Sequence, residues 1–458
     1  MSRYPAGPKD HFLGITLARR FRQNPLEFST EIGRTYGDIA YFRMGPLRAY
    51  VVNHPRLIRE VLVTKHKSFC RPKWITQPLS KIDGNGLVLS DGDFWLRQRR
   101  LMQPAFASRR FEPYATATVD YTLQMLERWS SSTSLNIADE MTQLTLRIIA
   151  KALFGVELSG QAAQLSEAVR IIAETFVAEA GNPVHLPDWL PLPGKRRKRW
   201  AIRTLDQLVR GIIRERRTSG QDQADLLTML LLAVDDEGDG RGMTDEQARD
   251  EAITLFNAGH DTTAAALAWV WYMVASHRAI EDRLIEEVDA VLGGNAPTLA
   301  DAGRLPYVEM VIKESLRLYP PTWSLVPREV VEPVEIGGYP IARGSWIYIF
   351  PYVTQRDPRF FKDPETFDPE RFSPVRSDEI PQHAYIPFGG GPRVCIGEKF
   401  SMMEMTLIVA TVLQKVRVKL AAEQGEIEPE PLIAARPKGG LRVAISRRSE
   451  LVGAADSK

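Results

Sequence analysis

Residues 388–397 read FGGGPRVCIG and contain Cys395, one of only two cysteines in the 458 residues of the chain. The glycines at positions 389–391 allow backbone N–H groups to approach a bound group closely. From Ile396 onward the sequence is amphipathic with helical spacing, which places the sulfur of Cys395 just before a helix N-terminus. The partial positive charge of that helix end favours a thiolate, so Cys395 is predicted to have a chemical function.

A thiolate can act as a nucleophile or as a metal ligand, whereas a lone cysteine is more commonly a small buried hydrophobe. Nucleophilic catalysis requires a nearby general base, and of the seven histidines only His383 lies near this segment. Zinc requires further Cys or His ligands at short spacing, and the segment supplies none. A haem iron needs a single protein thiolate, which the segment provides.

The composition argues against several classes of protein. Lys and Arg number 59 against 57 Asp and Glu, a net charge of +2, which gives no indication of nucleic-acid binding. Two cysteines, Cys70 and Cys395, cannot form a disulfide framework and indicate a reducing compartment. The N-terminus has no signal-like apolar region, and the longest uncharged apolar stretch, residues 262–276, is shorter than the roughly 20 residues of a transmembrane helix. We therefore expect a cytoplasmic protein without a transmembrane anchor.

Most of the chain has apolar residues at helical spacing, and short strand-like runs occur only near the two ends, at 39–45, 48–53 and 334–350. The fold is therefore predicted to be mainly α. A capping box from Thr244 to Gln247 predicts the start of a helix that continues to about Ser276 and is roughly 48 Å long. Further helices are predicted at residues 110–129, 141–154, 165–178, 195–217 and 225–234.

The segment AGHDTT at residues 258–263 lies in the middle of this long helix and is poor helix-forming sequence. Gly259 costs about 1 kcal/mol relative to alanine, and the hydroxyl of Thr262 can bond to the carbonyl of Ala258, so we expect an opened turn there. A packing glycine beside tolerated threonines is the simpler explanation of the hexapeptide taken alone. Asp261 argues against it, because a carboxyl group next to a hydroxyl at the edge of a strongly apolar run can relay protons.

FGGGPRVCIG resembles the haem-binding signature of the cytochrome P-450 family, F-G-x-G-x-R-x-C-x-G, at every fixed position. Four further segments are similar to family motifs and follow in the expected order: WLRQR at 95–99 to W-x-x-x-R, AGHDTT to A-G-x-[DE]-T-[ST], ESLR at 314–317 to E-x-x-R, and PERF at 369–372 to P-E-R-F. The resemblance implies a cytochrome P-450 fold, in which a helical bundle surrounds a buried haem. It further implies one domain over residues 1–458, with a β-rich lobe at about 30–70 and 325–352 and an α-rich remainder.

The resemblance also implies roles for individual residues. Cys395 would be the proximal iron ligand, and Asp261 and Thr262 would deliver protons. The other residues implied to contact haem, several of them through its propionates, are Trp95, Arg99, Ala258, Arg328, Phe388, Arg393 and Gly397. A buried charge network is implied for Glu314, Arg317 and Arg371, although spacing alone would make the first two a surface pair.

In activity, the resemblance implies a haem-thiolate monooxygenase that uses haem b, dioxygen and two electrons derived from NAD(P)H. No iron–sulfur or reductase segment is found in the sequence, so the electrons are expected from a separate ferredoxin or flavodoxin with its reductase. Arg97, Arg100, Arg393 and Lys399 could form a basic face for an acidic partner, or could be ordinary solvated charges. Two alternatives stay open, a haem-thiolate gas sensor and a peroxide-driven or isomerising enzyme, and the acid–alcohol pair in AGHDTT argues against both.

The positions at which the family recognises substrates are mostly apolar in this chain. They are Ile75, Leu79, Val88, Phe176, Val177, Phe256, Ala258, Trp323, Leu325, Val326 and Ile433. This set implies a medium-sized hydrophobic substrate, such as a terpenoid, a steroid or a fatty acid, and we expect the protein to be a monomer. The basic cluster KRRKR at 195–199 is interpreted as a solvated helix start, in preference to a contact with an anionic surface.

Overall fold

The computed structural model describes residues 4–10, 14–129, 134–157, 164–165, 167–168, 170–172, 174–175, 188–190, 192–219 and 225–448. Helices make up most of these residues. They are α1 (Ile15–Gln23), α2 (Pro25–Tyr36), α3 (Pro55–Arg59), α4 (Lys73–Asp83), α5 (Gly92–Met102), α6 (Glu112–Arg128), α7 (Ile137–Phe154), α8 (Pro193–Ser219), α9 (Leu226–Leu232), α10 (Asp245–Ser276), α11 (Arg278–Leu292), α12 (Leu299–Ala302), α13 (Pro306–Leu318), α14 (Pro351–Thr354) and α15 (Glu398–Lys415).

The strands are short and form separate small sheets. They are β1 (Ile39–Met44), β2 (Leu47–Val52), β3 (Phe69–Cys70), β4 (Ser134–Asn136), β5 (Arg328–Val330), β6 (Val334–Ile336), β7 (Tyr339–Ile341), β8 (Trp346–Tyr348), β9 (Val416–Leu420), β10 (Pro429–Pro431), β11 (Ala435–Pro437) and β12 (Arg442–Arg447). The largest sheet has the order β1-β2-β8-β5-β3, in which β2 and β8 run parallel and the other pairs antiparallel. A second sheet has the order β4-β12-β9, and β6-β7 and β10-β11 are two-stranded.

The predicted mainly α class is confirmed by this architecture. The N-terminal hairpin corresponds to β1 and β2, whose register pairs Ile39 with Val52 and Met44 with Leu47. Residues 334–350 contain three strands, where the sequence indicated two, because a Gly-Gly turn divides the first run into β6 and β7. The largest sheet joins strands from both parts of the expected β-rich lobe. The assignment of residues 1–458 to one domain stays a prediction.

Helix α10 begins where the capping box predicts, since Thr244 accepts from the N–H of Gln247 and the Gln247 side chain accepts from the N–H of Thr244. It continues without interruption to Ser276, so the opened turn expected at 258–263 is wrong. The hydroxyl of Thr262 does donate to the carbonyl oxygen of Ala258, at 2.8 Å, but within regular helix. Tertiary packing overrides the weak propensity of this segment, because α7 packs along α10 and a Cβ on Gly259 would lie 3.0 Å from Ile149.

Helix α10 is the central element for the candidate site. It packs against α7, α8 and α13, while α15 packs against α6 and α13. Two helical cores form around these contacts, and a third, smaller core lies between the largest sheet and α3. Within the part of the chain that the structure describes, no helix has both the length and the apolar character that a membrane crossing requires.

Candidate active site

A cavity of about 310 Å³ lies between α10 and the loop that carries Cys395. Most of its surface comes from apolar side chains. The lining residues include Val88, Phe106, Ile149, Leu255, Ala258, Gly259, Thr262, Thr263, Ala266, Pro321, Thr322, Leu325, Val326, Phe388, Cys395, Gly397, Phe400 and Met405, together with Arg71, Arg328 and Arg393. The cavity therefore combines one thiol, three guanidinium groups and extensive apolar walls.

The side chain of Cys395 is exposed, but the space to which it is exposed is this cavity. Burial raises the pKa of the Cys395 thiol, and the backbone N–H groups of Gly397 and Glu398 and the charge of Arg99 oppose that shift. The helix start was expected to favour the thiolate, and its effect is present but smaller than the cost of burying the charge. A metal cation bound at the sulfur would reverse this balance, because coordination removes the proton from a thiol.

The cysteine loop, residues 386–397, is a tight turn closed by a hydrogen bond from the N–H of Cys395 to the carbonyl oxygen of Phe388, 3.0 Å apart. Gly389 and Gly391 have positive φ angles of 77° and 70°, which favour glycine. A Cβ on Gly391 would lie 2.0 Å from the carbonyl oxygen of Leu62. The glycines of the motif are thus required by backbone conformation and by the close approach of a neighbouring segment, and they fix the direction of the sulfur.

Two residues of the W-x-x-x-R motif support this loop from outside the cavity. The guanidinium of Arg393 lies over the ring of Trp95, 4.2 Å from its centre, and Trp95 is buried. Arg99 donates through Nη1 to the carbonyl oxygen of Val394, at 2.9 Å. Neither Trp95 nor Arg99 lines the cavity, so in this geometry they hold the cysteine loop and Arg393 in place.

Arg71, Arg328 and Arg393, here called the cavity arginines, lie at one edge of the cavity. Arg71 was missed in the sequence, where no motif marks it. Its Nε and Nη1 are buried and have no hydrogen-bond partner. Buried guanidinium N–H groups without an acceptor are costly, so they indicate a site for a further anionic group. A single thiol, apolar walls and a cationic edge suit the iron, the ring and the two propionates of haem.

Glu314, Arg317 and Arg371 form one buried charge network. Arg317 binds Glu314 through two hydrogen bonds of 2.7 Å, and both side chains have 0% exposure. Arg371 donates through Nε to Glu314 at 3.2 Å, and the N–H of Asp368 donates to the same oxygen at 2.9 Å. The carboxylate is therefore fully paired inside the protein, and the pair is not a surface pair.

This network reaches the cysteine loop through one glutamine. Arg317 donates through Nη1 to the carbonyl oxygens of Gln355 and Pro364, at 2.9 Å and 2.7 Å. The amide of Gln355 donates back to the carbonyl of Arg317 at 3.0 Å, while its oxygen accepts from the N–H of Ile386 at 2.8 Å. The helix α13 is thus connected to the first residue of the cysteine loop by hydrogen bonds between buried groups.

On the opposite wall, α10 presents Leu255, Ala258, Gly259, Thr262 and Ala266 to the cavity. These positions follow helical spacing and form one face of the helix. Asp261 is the neighbour of Thr262 in the chain but does not line the cavity. It is half-buried.

Only some of the residues predicted to contact the substrate line the cavity. Val88, Ala258, Leu325 and Val326 line the cavity. Phe256 does not, because it lies on the far side of α10, where its ring packs 5.9 Å from that of Phe154.

Several other predicted contacts also lie elsewhere. Trp323 donates from its ring nitrogen to the carbonyl of Leu432 at 2.9 Å and stacks on Phe350, so it faces the sheet. Ile75 and Leu79 lie on α4 and do not line the cavity. Ile433 does not line it either, and its side chain is exposed on the surface. Phe176 and Val177 lie outside the described residues.

The segment that brings Val88 to the cavity is tied to α10 by carboxylates. Asp250 accepts from the N–H of Asn85 at 2.8 Å, and Glu251 accepts from the N–H of Leu87 at 2.9 Å. Burial raises the pKa of Glu251 to about 7. The segment before Val88 is therefore held against the N-terminal half of α10 by hydrogen bonds from its main-chain N–H groups to these two carboxylates.

Three of the four residues that could form a basic face beside the cysteine are engaged within the protein, since Arg393 binds Asp91 and both Arg97 and Arg100 bind acids. Arg100 binds Asp235 through hydrogen bonds of 2.9 Å and 2.8 Å, and Asp235 is buried. Arg97 binds Asp239 at 3.3 Å and donates to two backbone carbonyls. Both arginines connect α5 to the turn before α10, and no pattern in the sequence indicates that two acids of this turn would meet them.

Comparison with known proteins agrees with this geometry. The family profile described as Cytochrome P450 matches residues 5–443. A cyclooctatin synthase of Streptomyces melanosporofaciens is 37% identical over 87% of this chain and 86% of its own length. A cyclooctat-9-en-7-ol 5-monooxygenase of the same species is 36% identical over 89% of this chain and 87% of its own length. A pentalenene oxygenase of Streptomyces avermitilis is 32% identical over 94% of this chain and 95% of its own length.

The family inferred from the motifs is confirmed, and the chain belongs to the cytochrome P450 family, as a monooxygenase that uses haem, dioxygen and electrons from a redox partner.

Proposed function

We propose that this monooxygenase hydroxylates or epoxidises a neutral cyclic terpenoid, with haem b bound through Cys395. The observation that carries the proposal is a single cavity onto which the thiol, the cavity arginines and Thr262 all open. Its walls are apolar, which suits a hydrocarbon skeleton. The relatives named for cyclooctatin, cyclooctat-9-en-7-ol and pentalenene support the choice of a terpenoid over a steroid or a fatty acid.

When bound, haem supplies the activation of dioxygen, and a thiolate ligand favours cleavage of the O–O bond. The cavity arginines would bind the propionates and so hold the haem in one orientation. Leu325, Val326 and Ala258 exclude water and position the substrate. The hydroxyl of Thr262, which lines the cavity, would have to turn from the carbonyl of Ala258 to donate a hydrogen bond at the dioxygen site, and Asp261 would transfer protons from solvent to it.

Electrons would come from NAD(P)H through a separate ferredoxin or flavodoxin and its reductase. With Arg97, Arg100 and Arg393 engaged internally, Lys399, which is exposed just after the cysteine loop, is the remaining basic residue that could contact the electron carrier. We further propose that the protein is a monomer in the cytoplasm, where its two free cysteines would stay reduced.

A panel of candidate substrates tests the substrate class. Neutral cyclic terpenoids are expected to shift the ferric Soret band toward the high-spin form, because an apolar ligand displaces water from the cavity. Fatty acids of similar carbon number are expected to bind at least about tenfold more weakly, since a carboxylate without a free cation is costly to bury. Tight, spin-shifting binding of fatty acids and none by terpenoids would contradict the proposal.

The proton-delivery role is tested with Thr262→Ala. This variant is expected to keep the haem spectrum and substrate affinity, yet to form much less product per NAD(P)H oxidised, the difference appearing as peroxide or water. Positioned proton transfer contributes about 10²–10⁴-fold to rates, which sets the scale of the loss. Thr262→Ser keeps the hydroxyl and serves as the matched control.

Asp261→Asn is expected to slow turnover and to change the solvent isotope effect, because proton supply becomes limiting. Product formation and cofactor oxidation are measured with a surrogate reductase. If Thr262→Ala stays fully coupled and Asp261→Asn turns over at the normal rate, residues 258–263 have only a packing role.

A further inference from the structure

Asp91 occupies the N-cap position of α5, yet its side chain makes no hydrogen bond to the helix. Aspartate is one of the preferred N-cap residues because its carboxylate normally accepts from the free N–H groups of the first turn. Here that stabilisation is given up. The carboxylate points instead to two other segments of the chain, which indicates a different role.

The carboxylate of Asp91 binds two of the three cavity arginines. Its Oδ2 accepts from the backbone N–H of Arg71 at 2.8 Å, and its Oδ1 lies 3.6 Å from Nη1 of the same residue. Oδ1 also accepts a hydrogen bond from Nη2 of Arg393. Arg328 is close enough for its charge to lower the pKa of Asp91 against the effect of burial.

The four side chains enclose one common space. Asp91, Arg71, Arg328 and Arg393 line a small chamber of about 20 Å³ adjacent to the main cavity. Arg71 and Arg393 are largely buried, with side-chain exposures of 9% and 17%. Guanidinium groups held so close together repel one another unless anions lie between them. Asp91 is the one carboxylate among the residues that line this chamber or the main cavity.

The charges of this cluster suit a dianionic partner. Three arginines carry three positive charges, and the two propionates of haem together with Asp91 would balance them. Without Asp91, one cationic charge would be left over in a poorly solvated site. The carboxylate also holds Arg71 and Arg393, both of which line the main cavity, and Arg393 is fixed further by donation through Nη1 to the carbonyl oxygen of Ser90 at 3.0 Å.

We propose that Asp91 is a positioning residue for the haem propionates, which orients Arg71 and Arg393 and lowers the reduction potential of the bound iron by its charge. The inference rests on the proposed haem site. A negative charge near the haem favours the ferric state, because that state carries one more positive charge than the ferrous state. Removing it should therefore raise the potential.

Asp91→Asn and Asp91→Ser test the proposal, and neither needs activity as a readout. Asparagine keeps an acceptor for the N–H of Arg71, and serine can cap α5, so both variants retain a source of local stability. The midpoint potential is measured by redox titration at a pH well above 6. Burial raises the pKa of Asp91 to about 6, so the carboxyl group of the wild-type protein is then ionised. Haem release to an excess of apoglobin is measured in parallel. We expect a positive shift in potential and several-fold faster haem release in both variants.

Asp93→Asn is the matched control, since Asp93 is exposed in the first turn of the same helix and its loss changes the net charge equally. Asp91→Glu keeps the charge and should restore the potential. An unchanged potential in both neutral variants, or an equal shift in Asp93→Asn, overturns the proposal.

If the wild-type protein itself lacks the thiolate-type spectrum with carbon monoxide, the haem site fails and this inference fails with it. A normal spectrum with unchanged potentials rejects Asp91 alone.

Discussion

Cys395→Ser is expected to abolish the strongly red-shifted Soret band that the reduced protein forms with carbon monoxide, and with it all monooxygenase activity. Among the described residues, Cys395 is the one cysteine whose thiol lines the cavity. A serine hydroxyl in its place is a poor donor to iron and does not supply the electron density that assists O–O cleavage. Spectra of the reduced carbon monoxide complex measure the loss directly, before any substrate is known.

Cys70→Ser is the control for this experiment. Cys70 lies in β3, where it pairs with Glu329 of β5, and burial raises the pKa of its thiol to about 11. It is thus an unreactive, half-buried thiol, and its replacement should leave the spectrum and the haem content unchanged. The assignment of the ligand is wrong if Cys70→Ser loses the band while Cys395→Ser keeps it.

Glu314→Ala is expected to destabilise the protein by about 3–5 kcal/mol and to yield little haem-loaded material. The loss is large because two guanidinium groups, those of Arg317 and Arg371, would remain buried without their carboxylate. The N–H of Asp368 would lose its acceptor as well. Denaturant unfolding, followed by tryptophan fluorescence and by haem absorbance, gives both the free energy of unfolding and the haem occupancy.

Glu309→Ala is the matched control on the same helix. Glu309 pairs with Lys313 at 2.6 Å, but the two side chains are 45% and 35% exposed. Exposed ion pairs of this kind contribute less than about 1 kcal/mol, so α13 should tolerate the change. Equal losses in the two variants would mean that a general effect of replacing a glutamate on α13, and not the buried network, accounts for the effect of Glu314→Ala.

Features that depend on neighbouring residues in the chain could be predicted from the sequence. The capping box that starts α10 and the hydrogen bond from Thr262 to Ala258 follow from side chains a few residues apart. The glycines around Cys395 indicate a constrained loop for the same reason. The residues of the charge network could be named only through the resemblance to a family, because spacing alone does not separate a buried pair from an exposed one.

Features that depend on distant segments could not be predicted. Arg71 carries no motif, and its role depends on the meeting of β3, the start of α5, β5 and the cysteine loop. Phe256 was assigned to the cavity through the resemblance to the family, and the weak amphipathic pattern of α10 does not show which face meets the ligand. Asp235 and Asp239 neutralise basic residues of α5 although they lie more than 130 residues further along the chain.

The pairing of Arg97 and Arg100 with acids of their own chain removes two uncompensated positive charges from the surface beside α5. Long-range attraction between oppositely charged surfaces accelerates encounters by about 10–10³-fold and is sensitive to ionic strength. A surface without such excess charge relies on shape and short-range contacts to recognise an electron carrier. For a carrier that docks beside α5, we therefore expect the rate of electron delivery to depend little on ionic strength and on the net charge of the carrier.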